Sequence, residues 1–268
     1  MTAAPNDWYS AAVAITPGFE VSGDPYLGVS GDFDGMGISC GALQWNIGKG
    51  SLQPMVKAIG QAVVLSAMPT LGTQMWQACN TTIAQGLSVV RGWQTGSTLS
   101  KTARAELKAL MGTPQMRAQQ DVRIGKISAA AYAAATDWAA ASGNTPTKRL
   151  FCWFFDLLTQ NGGLKGLTSQ QVKDFINLNK PDKADDVVCD YLAKVKGTKG
   201  HASDAHKNAA LWRNKADGDK LPLLCASYLR SGASVPAWRH VVLNRKAAIA
   251  MGGGWVNSTL FDFSKYGL

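Results

Sequence analysis

Glutamate is scarce in this chain: of 268 residues only Glu20 and Glu106 are glutamates. Histidine is scarcer than a metalloprotein would favour, with three in all, and His201 and His206 stand five apart, which on a helix puts them on different faces. The five cysteines (40, 79, 152, 189 and 225) form an odd set with irregular spacing and no C-x-x-C pair. That excludes a disulfide framework and a cysteine zinc site by pattern, and predicts reduced cysteines in the core. No metal and no cofactor are expected. Long apolar runs are missing as well. The most apolar stretch, "AIGQAVVLSAMP" (58–69), is too short to span a bilayer and ends in proline. The opening "MTAAPNDWYSAAVAITPGFE" lacks the basic start and continuous apolar centre of a secretory signal, so a chain made in the cytoplasm is expected to leave it by other means. No Pro/Ser or Gln/Asn tract points to disorder.

What is present is a globular composition, 46% hydrophobic and 17% charged, with an uneven distribution of charge. Residues 1–95 carry three Lys/Arg against five Asp/Glu, whereas residues 96–268 carry 24 against 13. A +11 surplus over the larger part attracts polyanions at long range, whether nucleic acid, anionic lipid or bacterial cell wall.

After residue 50 the pattern is helical. "SLQPMVKAIGQAVV", "TARAELKALM", "QMRAQQDVRIGKISAAAYAAATDWAA", "TKRLFCWFFDLLTQNGG", "SQQVKDFINLN", "ADDVVCDYLAKV" and "PAWRHVVLNRKAAIAMGGG" follow one another, mostly bounded by Gly, Asn, Pro or Ser/Thr. Residues 21–48 are rich in glycine and turn formers, with short apolar pieces that suit a small irregular sheet. The chain therefore reads as mainly α, of the α+β class, with Glu20 where an N-terminal helix gives way to the sheet. No internal repeat and no long polar linker divides it, so a single domain over 1–268 is expected, with the Gly-Asn-Thr-Pro break at 143–146 as a candidate lobe boundary.

The stretch "FEVSGDPYLGVSGDFDGMGISCGALQWN" (19–46) gathers Glu20, Asp24, Asp32 and Asp34 among glycines. Glycosidic hydrolysis needs two carboxyl groups on opposite sides of the bond, one protonated to donate to the leaving oxygen and one ionised to activate water. A glutamate beside Phe19 at a helix end suits the acid role through desolvation, and an aspartate among solvated glycines suits the base role. A plain Gly/Asp turn is the structural alternative. A calcium loop fails, because Met36 and Leu43 stand where oxygen ligands are needed.

"DGMGIS" followed by "CGALQ" resembles the Asp-Gly-x-Gly-x-Ser/Thr-x-Gly segment of the chitosanases, glycoside hydrolase family 46, and of chitosanase-like cell-wall hydrolases in phage lysins and secretion-system effectors. "GALQ" is also similar to the Gly-Leu-Met-Gln element that follows the catalytic glutamate in lytic transglycosylases of the wider lysozyme superfamily. A second match, "MRAQQDVRIGKISAAAYAAA" and then "LFCWFFDLLTQNGG", resembles that family's long central helix and the aromatic-Asp helix after it. The C-terminal "LNRKAAIAMGGGWVN" is weakly similar to the cell-wall branch.

The resemblance implies a two-lobed lysozyme-like fold with a small β-sheet flanking the cleft. It makes Glu20 the general acid, Asp34 the general base and Ser39 a residue that helps hold the nucleophilic water. Enzymes of this type invert, with carboxyls roughly 6.5–9.5 Å apart. The Glu20–Asp34 interval is shorter than in chitosanases, so the loop differs and Asp32 is the alternative base. Gln44, Trp45 and Asn46 are candidates for substrate contact, Trp45 by stacking on a sugar or else as core. Gln160 and Asn161 are further substrate candidates. Asp156, in a very apolar helix, is either a buried structural acceptor or a cleft carboxylate.

Chitosan is a polycation and matches a basic chain poorly, while peptidoglycan with its carboxylates and associated anionic polymers fits it. A muramidase is therefore expected, with chitosanase, or a lytic transglycosylase using Glu20 alone, as alternatives. The route to the wall would be holin-type release, as for an endolysin, or injection as an effector, which would bring an immunity protein as partner. A monomer without stable membrane insertion and without nucleic acid is expected. The competing class is a non-catalytic basic module for nucleic acid or membrane, for which "KVKGTKGHASDAHK" (194–207) is the best patch, although it reads more easily as a solvated loop and helix start.

Overall fold

The computed structural model describes residues 3–19 and 23–268. Among them the chain is mainly helical, with thirteen α-helices and three small antiparallel sheets. It divides into two compact units, one of residues 1–19 and 127–268 and the other of residues 20–126. The Gly-Asn-Thr-Pro break at 143–146 lies inside the first of these.

The chain opens with α1 (Asn6–Gly18), which carries Pro17 in its last turn. The unit of residues 20–126 then begins with a three-stranded sheet, β1 (Val29–Ser30), β2 (Ser39–Cys40) and β3 (Trp45–Asn46), in which Val29 faces Cys40 and Cys40 faces Trp45. Glycine is required at the β2–β3 turn. Gly41 has φ +76°, and a Cβ there would lie 2.6 Å from Gln120 Oε1 and 2.9 Å from the Trp45 ring. Gln120 is fully buried and ties this corner together, accepting from Ala42 N–H at 3.1 Å and donating to Met111 O at 3.2 Å.

Four short helices follow: α2 (Gln53–Ile59), α3 (Gln61–Ala67), α4 (Gly72–Cys79) and α5 (Ile83–Arg91). The segment "SLQPMVKAIGQAVV", expected as one helix, is broken at Gly60, whose φ of +84° leaves the right-handed helical region. Thr82 and Gln85 form a reciprocal capping box that starts α5. A hairpin of β4 (Gln94–Thr95) and β5 (Thr98–Leu99) leads to α6 (Lys101–Gly112), capped by Ser100. Ile38, Ile47, Met55, Val64, Met75 and Leu107 are fully buried in this unit.

The long helix α7 (Pro114–Ala140) gives its first half to this unit and its second half to the other. There α8 (Lys148–Asn161) starts on a Thr147 cap and stops at Gly162 in the left-handed conformation. Its Phe151, Trp153, Phe154 and Phe155 are buried, each contributing about 1.5–3 kcal/mol by leaving water, and Trp153 Nε1 donates to Ser227 Oγ at 2.9 Å. Helices α9 (Ser169–Asn179), α10 (Ala184–Ala193), α11 (Gly200–Trp212), α12 (Lys220–Ser231) and α13 (Arg239–Met251) complete the helical part, with α13 packed on α8 and α12. A hairpin of β6 (Gly253–Val256) and β7 (Thr259–Asp262) follows α13 and packs on it.

Candidate functional site

Within the unit of residues 20–126, the connection from β1 to β2 carries two aspartates that the fold treats in opposite ways. Gly31 begins it, pressed so closely on the β4–β5 turn that a Cβ would lie 2.1 Å from Ser97 O. Asp32 follows and is fully engaged. Its N–H donates to Gln94 Oε1 at 2.8 Å, its Oδ1 accepts from Gly37 N–H at 2.8 Å, and its Oδ2 accepts from Arg91 Nε at 2.6 Å. The Gly37 amide holds its carboxyl below the ordinary aspartate range, burial works the other way, and the Arg91 guanidinium adds to the lowering.

Arg91 also donates to Gly35 O at 3.1 Å, and Gln94 Nε2 donates to Gly37 O at 2.9 Å. The last turn of α5 and the start of β4 therefore brace the loop from behind. Asp34, at its crest, is exposed, and among the described residues its Oδ1 accepts only the local Met36 N–H, at 3.1 Å. Phe33 beside it is 66% exposed. Arg91, Gln94 and Phe33 were not among the residues singled out from sequence. Arg91 and Gln94 lie 59 and 62 residues from Asp32, beyond any local pattern, whereas the "DFD" run already displayed Phe33.

The strand residues are placed inside the unit. Ser39 is buried in β2, paired with Ser30 on one side and Asn46 on the other. Trp45 is 7% exposed with its ring against the Gly41 corner, so burial fits the core alternative for it. Asn46 is buried too and accepts Lys49 N–H at 2.8 Å. Gln44 is half-buried at φ +56°, accepting from Ser30 Oγ at 3.1 Å.

Glu20 lies outside the described residues; Phe19, the residue before it, belongs to the unit of residues 1–19 and 127–268. The Phe19 carbonyl accepts from Asn257 Nδ2 at 2.9 Å. Its ring meets Phe261 and Phe263 edge-on, with centroids 5.0 and 5.7 Å away, and carries the Arg245 guanidinium 4.7 Å above it. Arg245 grips Asp156 through Nε, at 3.0 Å to Oδ1, and through a terminal nitrogen, at 2.8 Å to the same oxygen, and it donates to Thr16 O at 2.8 Å. Lys246 donates to Asp156 O at 3.0 Å and to Oδ2.

Asp156 and Lys246 are both 0% exposed. Burial acts to raise the Asp156 carboxyl, and the two cations outweigh it and hold it low; burial takes the Lys246 ammonium down to about 8. Asp156 is thus a buried acceptor that joins α8 to α13. Gln160 is exposed near the end of α8, and Asn161 is half-buried with an Oδ1 that has no hydrogen-bond partner, while its carbonyl accepts from Arg230 at 2.8 Å.

Among the described residues no group of three or more His, Cys, Asp or Glu side chains is arranged to hold a metal ion, and no helix is long and apolar enough to cross a membrane. Comparison with protein-family models, curated proteins and solved structures finds no match for the chain.

Proposed function

We propose that the chain is a peptidoglycan-degrading glycoside hydrolase, a muramidase, that cleaves the glycan strand with inversion, with Glu20 as general acid and Asp34 as general base. The observation that carries the proposal is the division of labour in the β1–β2 loop. Asp32 is consumed by Arg91, Gly37 and Gln94, while Asp34 is held by a single amide and otherwise presented to solvent. A general base must be reachable by water, and the exposed Asp34 carboxylate meets that need where the Asp32 carboxylate, taken up by Gly37 and Arg91, does not. Phe33 at the crest offers an apolar face of the kind on which sugar rings stack.

The acid role of Glu20 rests on the resemblance of the motifs around it; Phe19, the residue before it, is anchored through its carbonyl and its ring. A two-lobed lysozyme-like fold goes with this proposal. So do action on the bacterial wall after holin-type release or injection and, for an injected effector, an immunity protein that blocks the site. The basic surplus of residues 96–268 favours an anionic wall over polycationic chitosan as substrate.

Turbidity clearing of purified peptidoglycan tests the proposal, using wild type, Glu20→Gln, Asp34→Asn and Asp32→Asn, with mass spectrometry of the fragments and chitosan in parallel. The expected result is release of muropeptides with reducing N-acetylmuramic acid ends, reduced about 100-fold or more in both Glu20→Gln and Asp34→Asn. Undiminished clearing by Glu20→Gln would overturn it. Loss with Glu20→Gln but not Asp34→Asn, with anhydro products, would mean a lytic transglycosylase. Cleavage of chitosan alone would mean a chitosanase.

A further inference from the structure

Between α12 and α13 the chain turns outward with its apolar side chains in water. Val235 is 66% and Trp238 58% exposed, and Pro236 and Ala237 between them are exposed too. Tryptophan is rarely left so open in a folded chain. The base of this turn is firm, because Arg239 lies over the rings of Tyr191 and Tyr228, 4.5 and 4.8 Å from their centroids.

Trp238 meets the His201 ring edge-on at 6.5 Å, in the first turn of α11. The loop that leads into that turn holds Lys194, Lys196 and Lys199, all exposed and none in an ion pair among the described residues. His206 fixes the loop against the helix through a 2.8 Å contact to Val195 O. The acids nearest in sequence offset the lysines only in part: Asp204 is buried and accepts Ser258 N–H, and Asp190 is paired with Arg213 while also feeling Lys194.

We propose that this face docks the protein peripherally on an anionic lipid surface. Val235, Pro236 and Trp238 enter the boundary between headgroups and acyl chains, while Lys194, Lys196 and Lys199 lie at the level of the lipid phosphates. A soluble polyanion would satisfy the lysines and leave Val235 and Trp238 in water. Only a layered partner, charged outside and hydrocarbon beneath, satisfies both sets at once. The inference stands apart from the proposed chemistry, since none of these residues belongs to the β1–β2 loop or to the Phe19 anchorage.

Co-sedimentation of the full chain with vesicles tests it, comparing phosphatidylcholine alone with equal parts phosphatidylcholine and phosphatidylglycerol. Wild type is expected to bind the anionic vesicles and not the neutral ones. Trp238→Ser should weaken binding about tenfold, and the combined Lys194→Ala, Lys196→Ala, Lys199→Ala variant on the order of a hundredfold, at roughly fivefold per lysine. These side chains are exposed, so thermal midpoints should match wild type, which separates lost binding from lost folding. Failure of folded wild type to bind anionic vesicles would overturn the proposal. Binding by Trp238→Ser as tight as wild type would overturn it too, since the lysines alone would then make a general polyanion surface.

Discussion

Asp32 and Asp34 are two residues apart in one glycine-rich loop, and their environments give them different work. The Gly37 amide and the Arg91 guanidinium converge on the Asp32 carboxylate, so it belongs to the loop; Asp34 stands clear of them, so its carboxylate is available to a water. The depressed Asp32 carboxyl has a consequence for pH. Its bracing is fully present above the ordinary aspartate range and is lost as pH falls through its lowered folded value.

Arg91 is the positioning residue behind this arrangement, touching the loop at Asp32 and at Gly35. Under the proposed function, Arg91→Ala is expected to lower kcat by about 10- to 100-fold with little change in KM, since the loop would lose its register rather than its substrate contacts. The same variant should cost no more than about 1 kcal/mol of stability, because the arginine is half-exposed. Initial rates on soluble peptidoglycan fragments, beside urea unfolding, check both; a stability loss that accounts for the whole rate loss would remove the positioning role.

At the scale of elements, the α8–α13 junction depends on Asp156. Its two cationic partners come from consecutive positions of α13, Arg245 and Lys246, and all three side chains are buried. Removing the anion leaves those cations in a low-dielectric interior, so Asp156→Ala is expected to cost about 3–5 kcal/mol. Urea unfolding measures this, and a loss below about 1 kcal/mol would mean that the cluster relaxes into solvent.

The apolar run around Asp156 is what made α8 plain in the sequence, and Ser/Thr caps did the same for α9, which runs from Ser169 to Asn179 as its pattern predicts. The glycine-rich start of the chain likewise announced a small sheet. Helix α4 escaped notice because it begins on glycine, which signals a break rather than a start. The glycines after α13 end that helix as expected, Gly252 closing it in the left-handed conformation, and Gly253 and Gly254 run on into β6, where a Cβ on Gly254 would lie 2.5 Å from the Trp212 ring. The candidate site divides in the same way. Asp34 was visible from its motif, whereas the reason that Asp32 is not its equal, Arg91 from a distant helix, is a tertiary fact.

Across the whole molecule, all five cysteines are buried and free, and burial pushes each thiol from 9.0 up to about 12. An unfolded chain would release these protons near 9 while the folded one keeps them. Stability contributed by the neutral thiols is thus present below pH 9 and is lost as pH climbs toward 12. Lys246 acts in the opposite sense between about 8 and 10.5, since its unfolded form holds the proton longer, but it is one group against five. The thermal midpoint is therefore expected to fall steeply above pH 9, and the native thiols to resist alkylation at neutral pH, where they are neither ionised nor accessible. Calorimetry across alkaline pH and mass spectrometry after iodoacetamide treatment would record both effects, and rapid native labelling would contradict the burial.

The Asn257–Phe19 hydrogen bond joins residues 238 positions apart, and the unit that contains it is assembled from both flanks of residues 20–126. On a translating ribosome that order matters. Residues 20–126 emerge as a continuous segment and have their packing partners in hand early. The helix that precedes them must wait, its aromatic end uncovered, until the β6–β7 hairpin has been made. A nascent chain therefore holds the end of that helix unfixed for most of its synthesis, and the anchorage of Phe19 is among the last contacts to form.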